Sequence, residues 1–236
     1  MAEQISPPSN VTPVYENPSD LKSRMKASYD AIALKYNEWT VPHSTTKIRY
    51  LDQLLERLPT NSPTPVSVLE IGCGAGLPVT QKLLSYPKFS VTANDISSSQ
   101  LALARASLQP DRLTLIEGDM LALDLPPGSL DAVVGMYSII HLPLAEQVEM
   151  LSKVVAWLKP GGWLLANFGV EKFAGREVKN WLKEEEGWMF WSGWGSEGTL
   201  EKVREAGLEI IVQDTVVDED EVDVKFLWIL ARKNAS

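Results

Sequence analysis

A buried strand followed by a glycine-rich turn constrains this chain more than any other feature of its sequence. The apolar run 66–71 carries an acid, Glu70, one residue before its end, and Gly72, Gly74 and Gly76 follow. Continuous apolar, β-branched runs are typical of the buried strands of parallel sheets. Glycines after such a strand let the backbone turn tightly and approach a ligand closely. The segment therefore predicts an α/β fold with a binding floor for a small polar cofactor.

The glycine spacing separates two kinds of cofactor site. The dinucleotide fingerprint G-x-G-x-x-G, counted from Gly72, needs its third glycine where Leu77 stands, but that glycine comes one residue early, at Gly76. This spacing disfavours an NAD oxidoreductase. The whole segment 70–76, E-I-G-C-G-A-G, resembles the first motif of class I S-adenosylmethionine (SAM) dependent methyltransferases of the small-molecule type. The resemblance implies SAM as the cofactor and S-adenosylhomocysteine (SAH) as the product derived from it.

Helical and strand patterns alternate after the glycine turn. Such alternation predicts a parallel sheet with helices on both faces, joined by right-handed crossovers. Further strands are predicted over residues 89–94, 113–117, 131–137 and 163–168, and helices over 79–85, 97–108, 144–158 and 199–206. The last two apolar runs, 208–217 and 224–231, predict a hairpin joined by the acidic loop 218–223.

The turn before the fifth predicted strand strengthens the resemblance. In the segment 158–162, L-K-P-G-G, Lys159 suits a helix C-terminus, Pro160 cannot continue the helix, and the glycines form the turn. Class I methyltransferases often carry this turn, so the resemblance covers residues 29–233. It implies a Rossmann-like α/β fold, with a seven-stranded, mostly parallel sheet, a reversed C-terminal hairpin strand and helices on both faces.

Composition divides the chain into an arm and one domain. Residues 1–20 contain four prolines among small polar residues, which predicts a flexible N-terminal arm. Residues 21–236 are expected to form a single methyltransferase domain. Within it, residues 21–60 predict two helices, the second over 44–58, and resemble a cofactor lid. Residues 169–198 are expected to form an irregular aromatic insert on the substrate side.

Two acids follow predicted strands where a cofactor is expected. In open α/β sheets ligands bind beyond the carboxyl ends of the strands, and the Asp95 carboxylate there can accept hydrogen bonds from two ribose hydroxyls. The alternative is an N-cap for the helix that starts at Ser97. The resemblance implies that Asp119 accepts a hydrogen bond from the adenine amino group while Met120 packs on the ring. The alternative for Asp119 is an ordinary turn acid.

The remaining cofactor contacts are expected around these residues. Glu70 can accept hydrogen bonds from a ligand ammonium or hydroxyl, and Tyr36 belongs to the segment 29–36 that resembles the lid helix. The alternative for Tyr36 is packing alone. The expected cofactor-binding residues are Tyr36, Glu70, Gly72, Cys73, Gly74, Asp95, Ile96, Asp119, Met120 and Met136.

His141 is the best candidate for a general base, because an unperturbed imidazole has a pKa near neutrality. It follows the fourth predicted strand, where the resemblance places the sulfonium of the cofactor, and Tyr137 of the same segment is expected to contact the substrate. The alternative is a histidine that starts a helix and bonds to the backbone, without a catalytic role.

The aromatic insert is the expected substrate side of the molecule. Half of the eight tryptophans of the chain lie in residues 169–198. Aromatic rings bury large areas and stack on planar ligands, so Trp188, Phe190 and Trp191 are expected to form a wall of an apolar substrate pocket. The alternative is a small satellite core beneath a long loop.

Bulk composition limits the partners. The net charge of −9 disfavours a nucleic-acid partner, and no apolar run approaches the roughly 20 residues of a membrane helix. The first residues lack a secretory signal pattern, so a cytoplasmic location is expected. One cysteine and two histidines disfavour a metal site. We expect a small-molecule substrate and a monomer or homodimer.

Several functions fit these motifs. The favoured one is in-line transfer of the SAM methyl group to a small, apolar or aromatic molecule, with the acceptor atom left open. The segment 136–139, M-Y-S-I, stands where an N-P-P-Y-type tetrapeptide would indicate methylation of adenine N6 or protein glutamine. The alternatives are a SAM-fold enzyme with a non-methyl reaction such as cyclisation, and a non-catalytic SAM-binding scaffold.

Overall fold

The computed structural model describes residues 17–60, 63–108, 111–217 and 224–235. The predicted arm, residues 1–20, lies almost entirely outside these ranges, and so does the acidic loop 218–223. The strands of the described part are β1 (Val66–Ile71), β2 (Phe89–Asp95), β3 (Leu113–Glu117), β4 (Leu130–Gly135), β5 (Leu158–Gly169), β6 (Lys172–Lys179), β7 (Trp188–Trp194), β8 (Leu208–Val217) and β9 (Lys225–Lys233).

Seven α-helices accompany these strands in the described part of the chain. They are α1 (Leu21–Ala31), α2 (Ala33–Thr40), α3 (Thr45–Leu55), α4 (Val79–Leu84), α5 (Ser98–Ser107), α6 (Leu144–Trp157) and α7 (Gly195–Glu205). Among the residues described, no helix has both the length and the apolar character needed to cross a membrane.

One sheet in the described structure has seven strands in the order β3-β2-β1-β4-β5-β9-β8. β1 to β5 run parallel, and β9 is antiparallel to both β5 and β8. This arrangement confirms the predicted mostly parallel sheet with a reversed C-terminal strand. Because β1 lies between β2 and β4, the strand order reverses there and a crevice opens at the carboxyl ends.

The two faces of β1 bury its side chains in separate clusters. Leu69 and Ile71 pack in a cluster with α6 and α7, and Val66 and Val68 pack in a cluster with α3 and α4. All four are at most 1% exposed. Burial of a large aliphatic side chain contributes about 1.5–3 kcal/mol. These two layers hold the end of β1, and the glycine turn that follows it, in a fixed position.

The fifth strand begins earlier than predicted. α6 ends at Trp157, and β5 starts at Leu158 because Leu158 pairs with Leu130 of β4 before the register shifts. Lys159 therefore does not serve a helix C-terminus. Its Nζ lies 2.7 Å from Oδ2 of Asp131 and forms an ion pair at the N-terminal ends of β4 and β5.

The N-terminal segment has one more helix than predicted, and the aromatic insert is regular. The first predicted helix breaks at Ile32 (φ −99°, ψ 10°) into α1 and α2. Within the insert, β6 and β7 pair antiparallel as a separate two-stranded sheet. Sequence periodicity did not indicate this hairpin, because the buried residues Trp188, Met189 and Phe190 are consecutive and do not alternate. They pack against α1, which supplies Leu21 and Met25.

Candidate active site

The crevice at the carboxyl ends of β1, β2 and β4 contains a small cavity of about 80 Å³. The glycine turn after β1 lines one side, and α1 contributes Leu21, Lys22, Met25 and Tyr29. The residues expected to bind the cofactor that line this cavity are Tyr36, Gly72, Gly74, Asp95, Ile96, Asp119, Met120 and Met136. The tertiary structure therefore brings together eight of the ten, and Glu70 and Cys73 are the two that do not line the cavity.

Glycine is required at Gly72 by both conformation and space. Its φ is +70°, and a Cβ built on it would collide with Cβ of Ser138. Gly74 also has a positive φ, +55°, and its backbone N–H donates to Oδ2 of Asp95 at 2.8 Å. A side chain at Gly72 would push apart the turns after β1 and β4, so the floor of the cavity depends on this residue.

Asp95 is held by backbone donors at the edge of the cavity. Its Oδ1 accepts from the N–H of Ser97 at 2.9 Å, in addition to the bond from Gly74. The N-cap of α5 is Ser97 itself, whose side chain accepts from the N–H of Gln100, so Asp95 does not have the alternative role of N-cap. Burial raises the pKa of Asp95 to about 6, even though the backbone donors favour the ionised form.

Asp119 has two contacts that do not involve a ligand. Its Oδ1 accepts from the N–H of Leu121 at 3.1 Å, which is the local turn contact that the alternative expected. Its Oδ2 lies 3.1 Å from Nζ of Lys22, which also lies 2.6 Å from Oε2 of Glu146. Lys22 therefore ties α1 to the loop after β3 and to α6. The adenine role of Asp119 stays a prediction.

Glu70 and Cys73 are buried behind the cavity lining. The hydroxyl of Thr80 donates to Oε2 of Glu70, and burial, together with the nearby Asp95 charge, raises the pKa of Glu70 to about 8. Burial likewise raises the pKa of the Cys73 thiol. Within the described ranges no group of three or more His, Cys, Asp and Glu residues is arranged to hold a metal ion.

His141 is bonded through both ring nitrogens. Its Nδ1 lies 2.8 Å from the carbonyl oxygen of Phe190 and must carry the proton there, because a carbonyl only accepts. Its Nε2 lies 3.0 Å from the hydroxyl of Tyr29, which then donates to it. Burial lowers the pKa of His141 to about 4 and raises that of Tyr29. His141 ends a 3₁₀ turn, Ile139–His141, and does not start α6, although its bond to the backbone agrees with the non-catalytic alternative.

A second cavity, of about 610 Å³, adjoins the first. Tyr29, Tyr36, Tyr137 and His141 line both cavities and form their junction. Other aromatic residues that line the larger cavity are Trp39, Phe173, Trp181, Trp191 and Phe226. Sequence reasoning missed Tyr29 as a site residue, although it begins the segment 29–36 that resembles the lid helix, and it did not single out Trp39.

The three aromatic residues expected in the pocket wall separate into two groups. Trp191 lines the larger cavity, as expected. Trp188 and Phe190 line neither cavity and belong to a buried cluster with α1. The indole of Trp188 donates to Glu177 at 3.0 Å, and the guanidinium of Arg24 lies 3.9 Å from its ring centroid. For these two residues the structure corrects the pocket-wall prediction, because packing against α1 takes their side chains away from the cavity.

The sequence around this crevice is similar to that of known methyltransferases. Residues 68–162 match a family model described as a methyltransferase domain. A sterol 24-C-methyltransferase of Gibberella zeae is 25% identical over 178 residues, which are 70% of this chain and 45% of that protein. A malonyl-[acyl-carrier protein] O-methyltransferase of Priestia megaterium is 32% identical over 142 residues, which are 54% of this chain and 48% of that protein. The chain thus spans about half the length of these relatives.

Solved structures share the fold at low sequence identity. The 1,6-didemethyltoxoflavin-N1-methyltransferase of Burkholderia thailandensis, with 1,6-didemethyltoxoflavin and SAH bound, aligns with a TM-score of 0.71 at 17% identity, over 93% of this chain and 92% of that one. The [4+2]-cyclase SpnF aligns with a TM-score of 0.60 at 22% identity, over 80% of this chain and 81% of that one.

Proposed function

We propose that this chain, whose residues 68–162 match a family model described as a methyltransferase domain, is a class I SAM-dependent methyltransferase. In this proposal it transfers the methyl group of SAM to a small, apolar or aromatic molecule by in-line displacement. One observation carries the proposal. The cavity lined by the expected cofactor residues shares three tyrosines and His141 with the lining of a larger aromatic cavity. Two adjoining cavities of this kind suit a methyl donor in one cavity and a methyl acceptor in the other.

The residues of the small cavity fit SAM in chemistry. The Asp95 carboxylate accepts hydrogen bonds from ribose hydroxyls, and the bare backbone at Gly72 and Gly74 leaves room beside it. Asp119 and Met120 serve the adenine, Ile96 and Met136 line the same cavity, and Glu70 lies behind its lining. A volume of about 80 Å³ is below the roughly 300–1,000 Å³ of ligand pockets, so SAM binding has to enlarge this cavity.

Bound SAM supplies an activated methyl group on its sulfonium sulfur. The chain then has to place the acceptor atom in line with that methyl group, and such orientation lowers a barrier by about 7–11 kcal/mol. The junction residues Tyr29, Tyr36 and Tyr137 are positioned for this role, because they contact both cavities. The acceptor atom therefore has to reach the junction from the larger cavity.

His141 would act as the general base for substrates whose methyl-accepting atom carries a proton. Its Nε2 is the nitrogen with a lone pair, and a substrate hydroxyl or amine that replaces the Tyr29 hydroxyl would give its proton to this atom. With a pKa of about 4, the imidazole is neutral at pH 7 and a weak base. We expect a large effect of His141 for a hydroxyl acceptor and a small one for a carboxylate or thiolate, which have no proton to lose.

The larger cavity supports the substrate class. Its volume of about 610 Å³ lies within the range of pockets for small molecules. Trp181 lies 5.7–6.1 Å, centroid to centroid, from Tyr29, Tyr36, Trp39 and Trp191, in mostly edge-on geometry. Such rings offer faces and edges to a flat apolar molecule. We propose no nucleic-acid or membrane partner, a cytoplasmic location, and a monomer or homodimer.

The structural similarity to SpnF supports a second candidate function. SpnF is a [4+2]-cyclase with the same fold, so the fold alone does not require methyl transfer. A SAM-binding chain that only orients its substrate for cyclisation would use the same two cavities. The mass of the product separates the two functions, because a methyl transfer adds one CH₂ and a cyclisation leaves the mass unchanged.

An SAH-release assay tests the proposal. Apolar phenols, thiols, amines and carboxylates are incubated with SAM and the protein. SAH release is then measured, and the product masses are determined by mass spectrometry. We expect SAH release with at least one class, a product heavier by one CH₂, and no release by a Gly72→Val variant, whose turn cannot close. SAH binding without SAH release by any class, together with a product of unchanged mass, would favour the cyclase.

A further inference from the structure

A buried amide beside the cavity has a donor without an acceptor. Gln100, in the first turn of α5, is 1% exposed and lines the small cavity. Its Nε2 has no hydrogen-bond partner within the residues that the structure describes. An unsatisfied buried donor of this kind costs about 1–3 kcal/mol, so it is uncommon unless a ligand or water completes it.

The neighbouring hydrogen bonds fix which end of the amide is left without a partner. Nδ2 of Asn37 donates to the carbonyl oxygen of Ala33 at 2.7 Å and to Oε1 of Gln100 at 2.8 Å. A carbonyl oxygen only accepts, so the amide nitrogen of Asn37 must face Ala33. The same nitrogen contacts Gln100, and it therefore requires Oε1 there. The Nε2 group is left as the free donor.

Gln100 lines the same cavity as the Asp95 carboxylate. A Cβ built on Gly74 would lie 3.7 Å from Oε1 of Gln100, and the N–H of Gly74 bonds to Asp95. An ionised carboxylate only accepts hydrogen bonds. A hydroxyl that donates to Asp95 keeps lone pairs on its oxygen, and an amide N–H nearby matches those lone pairs. Donor and acceptor together suit a vicinal diol, such as that of a ribose.

We infer that Gln100 is a cofactor-binding residue whose Nε2 donates to a ribose hydroxyl oxygen, and that Asn37 of α2 is the residue that orients it. The inference rests on the proposed SAM site. It also links the N-terminal helices to the cofactor, because Asn37 belongs to α2 and hydrogen-bonds to a residue of the cavity wall.

Calorimetric titration with SAH tests the inference. Gln100→Leu keeps the size of the side chain and removes the donor. We expect SAH to bind this variant at least about tenfold more weakly than the wild type, at an unchanged thermal midpoint. The same titration is repeated with 2′-deoxy-SAH and 3′-deoxy-SAH. One of these analogues lacks the hydroxyl that Gln100 contacts, and that analogue should bind the wild type and Gln100→Leu with equal affinity.

A second variant, Asn37→Asp, tests the orienting role. An ionised carboxylate accepts hydrogen bonds but does not donate them, so this change should turn Nε2 of Gln100 toward the new carboxylate and leave Oε1 at the cavity. SAH affinity should fall about tenfold in the Asn37→Asp variant, and should not fall further when the same change is made in Gln100→Leu.

The outcomes separate this inference from the proposed function. Wild-type SAH affinity in Gln100→Leu would overturn the inference alone, and so would a loss of equal size for SAH and both deoxy analogues, which would indicate packing. A wild-type chain that does not bind SAH would overturn the proposed SAM site and the inference with it.

Discussion

Glu70, Asp95 and His141 are among the buried titratable side chains in or beside the small cavity, and burial shifts the pKa of each in the direction that favours the neutral form. The pKa is about 8 for Glu70, about 6 for Asp95 and about 4 for His141. Desolvation is the largest cause for all three, because a charge loses more hydration energy on burial than a neutral group. Each shift has a measurable consequence at a different pH.

SAH binding should depend on the ionisation of Asp95. Ribose hydroxyls donate best to the ionised carboxylate, and the pKa of about 6 predicts that ionisation is complete only above about pH 7. The association constant for SAH should therefore rise from pH 5 to pH 7 and then level. Asp95→Asn, which keeps the shape, should bind at least about tenfold more weakly and show no such rise. Calorimetry at several pH values measures both, and wild-type affinity in Asp95→Asn would reject the ribose assignment.

Glu70 should lower stability as the pH rises. The folded chain keeps the Glu70 proton up to about pH 8, whereas the unfolded chain releases it near 4.5, so the free energy of unfolding falls between these values. Glu70→Gln removes this effect and should raise the melting temperature at pH 8 by roughly 2–4 °C, the shift for about 1 kcal/mol. Melting curves from pH 5 to pH 8 measure it. Glu56→Gln, at an exposed position, is the matched control and should show no gain.

His141 and Tyr29 should differ in their effect on turnover, although they share a hydrogen bond before the substrate binds. For a hydroxyl acceptor, His141→Gln should lower kcat at least about 100-fold with SAH affinity kept. Tyr29→Phe removes the hydroxyl that the substrate has to displace from Nε2, so it should not lower kcat through His141. A drop under about threefold in His141→Gln would leave His141 with the structural role that its bond to Phe190 indicates.

At the level of elements, α1 connects the cofactor side to the aromatic hairpin. Lys22 pairs with acids after β3 and in α6, and the side chain of Ser28 accepts from the N–H of Trp188 at 2.7 Å. The carboxylate of Asp30 accepts from the hydroxyl of Ser97 at 2.7 Å, near the start of α5. α1 therefore contacts both cavities and the β6–β7 hairpin.

Two tryptophans of β7 should respond differently to the same substitution. Trp191 lines the larger cavity, so Trp191→Ala should raise the KM for the substrate or abolish turnover with SAH binding nearly intact. Trp188 packs under α1, so Trp188→Ala should instead lower the free energy of unfolding by roughly 3–5 kcal/mol. Melting curves and substrate kinetics on both variants measure the difference. Equal losses of stability in the two variants would contradict the pocket-wall role of Trp191.

At the level of the whole molecule, the sheet order creates the site. β1 lies between β2 and β4, so the loops after these strands diverge and leave the crevice that holds the small cavity. The reversed β9 extends the sheet on the other side of β5, and Phe226 of that strand lines the larger cavity. Both cavities therefore depend on contacts between residues far apart in the sequence.

Local sequence signals were enough to predict the sheet and most of the expected residues that line the small cavity. Buried strands, glycine turns and the acid at the end of β2 are each encoded within a few consecutive residues. Their positions relative to one another follow from the general rules of parallel α/β sheets. The sequence therefore predicts that Asp95, Gly72 and Gly74 lie at one site, and all three line the small cavity.

Only the tertiary structure decided which aromatic residues pack and which line a cavity. Trp188 and Trp191 are the same residue type three positions apart, and they differ because α1 covers one of them. Tyr29 meets His141 across 112 positions in the chain, and Asn37 meets Gln100 across 63. A short pattern carries no information on contacts between segments so distant, because they form only when separate elements pack together.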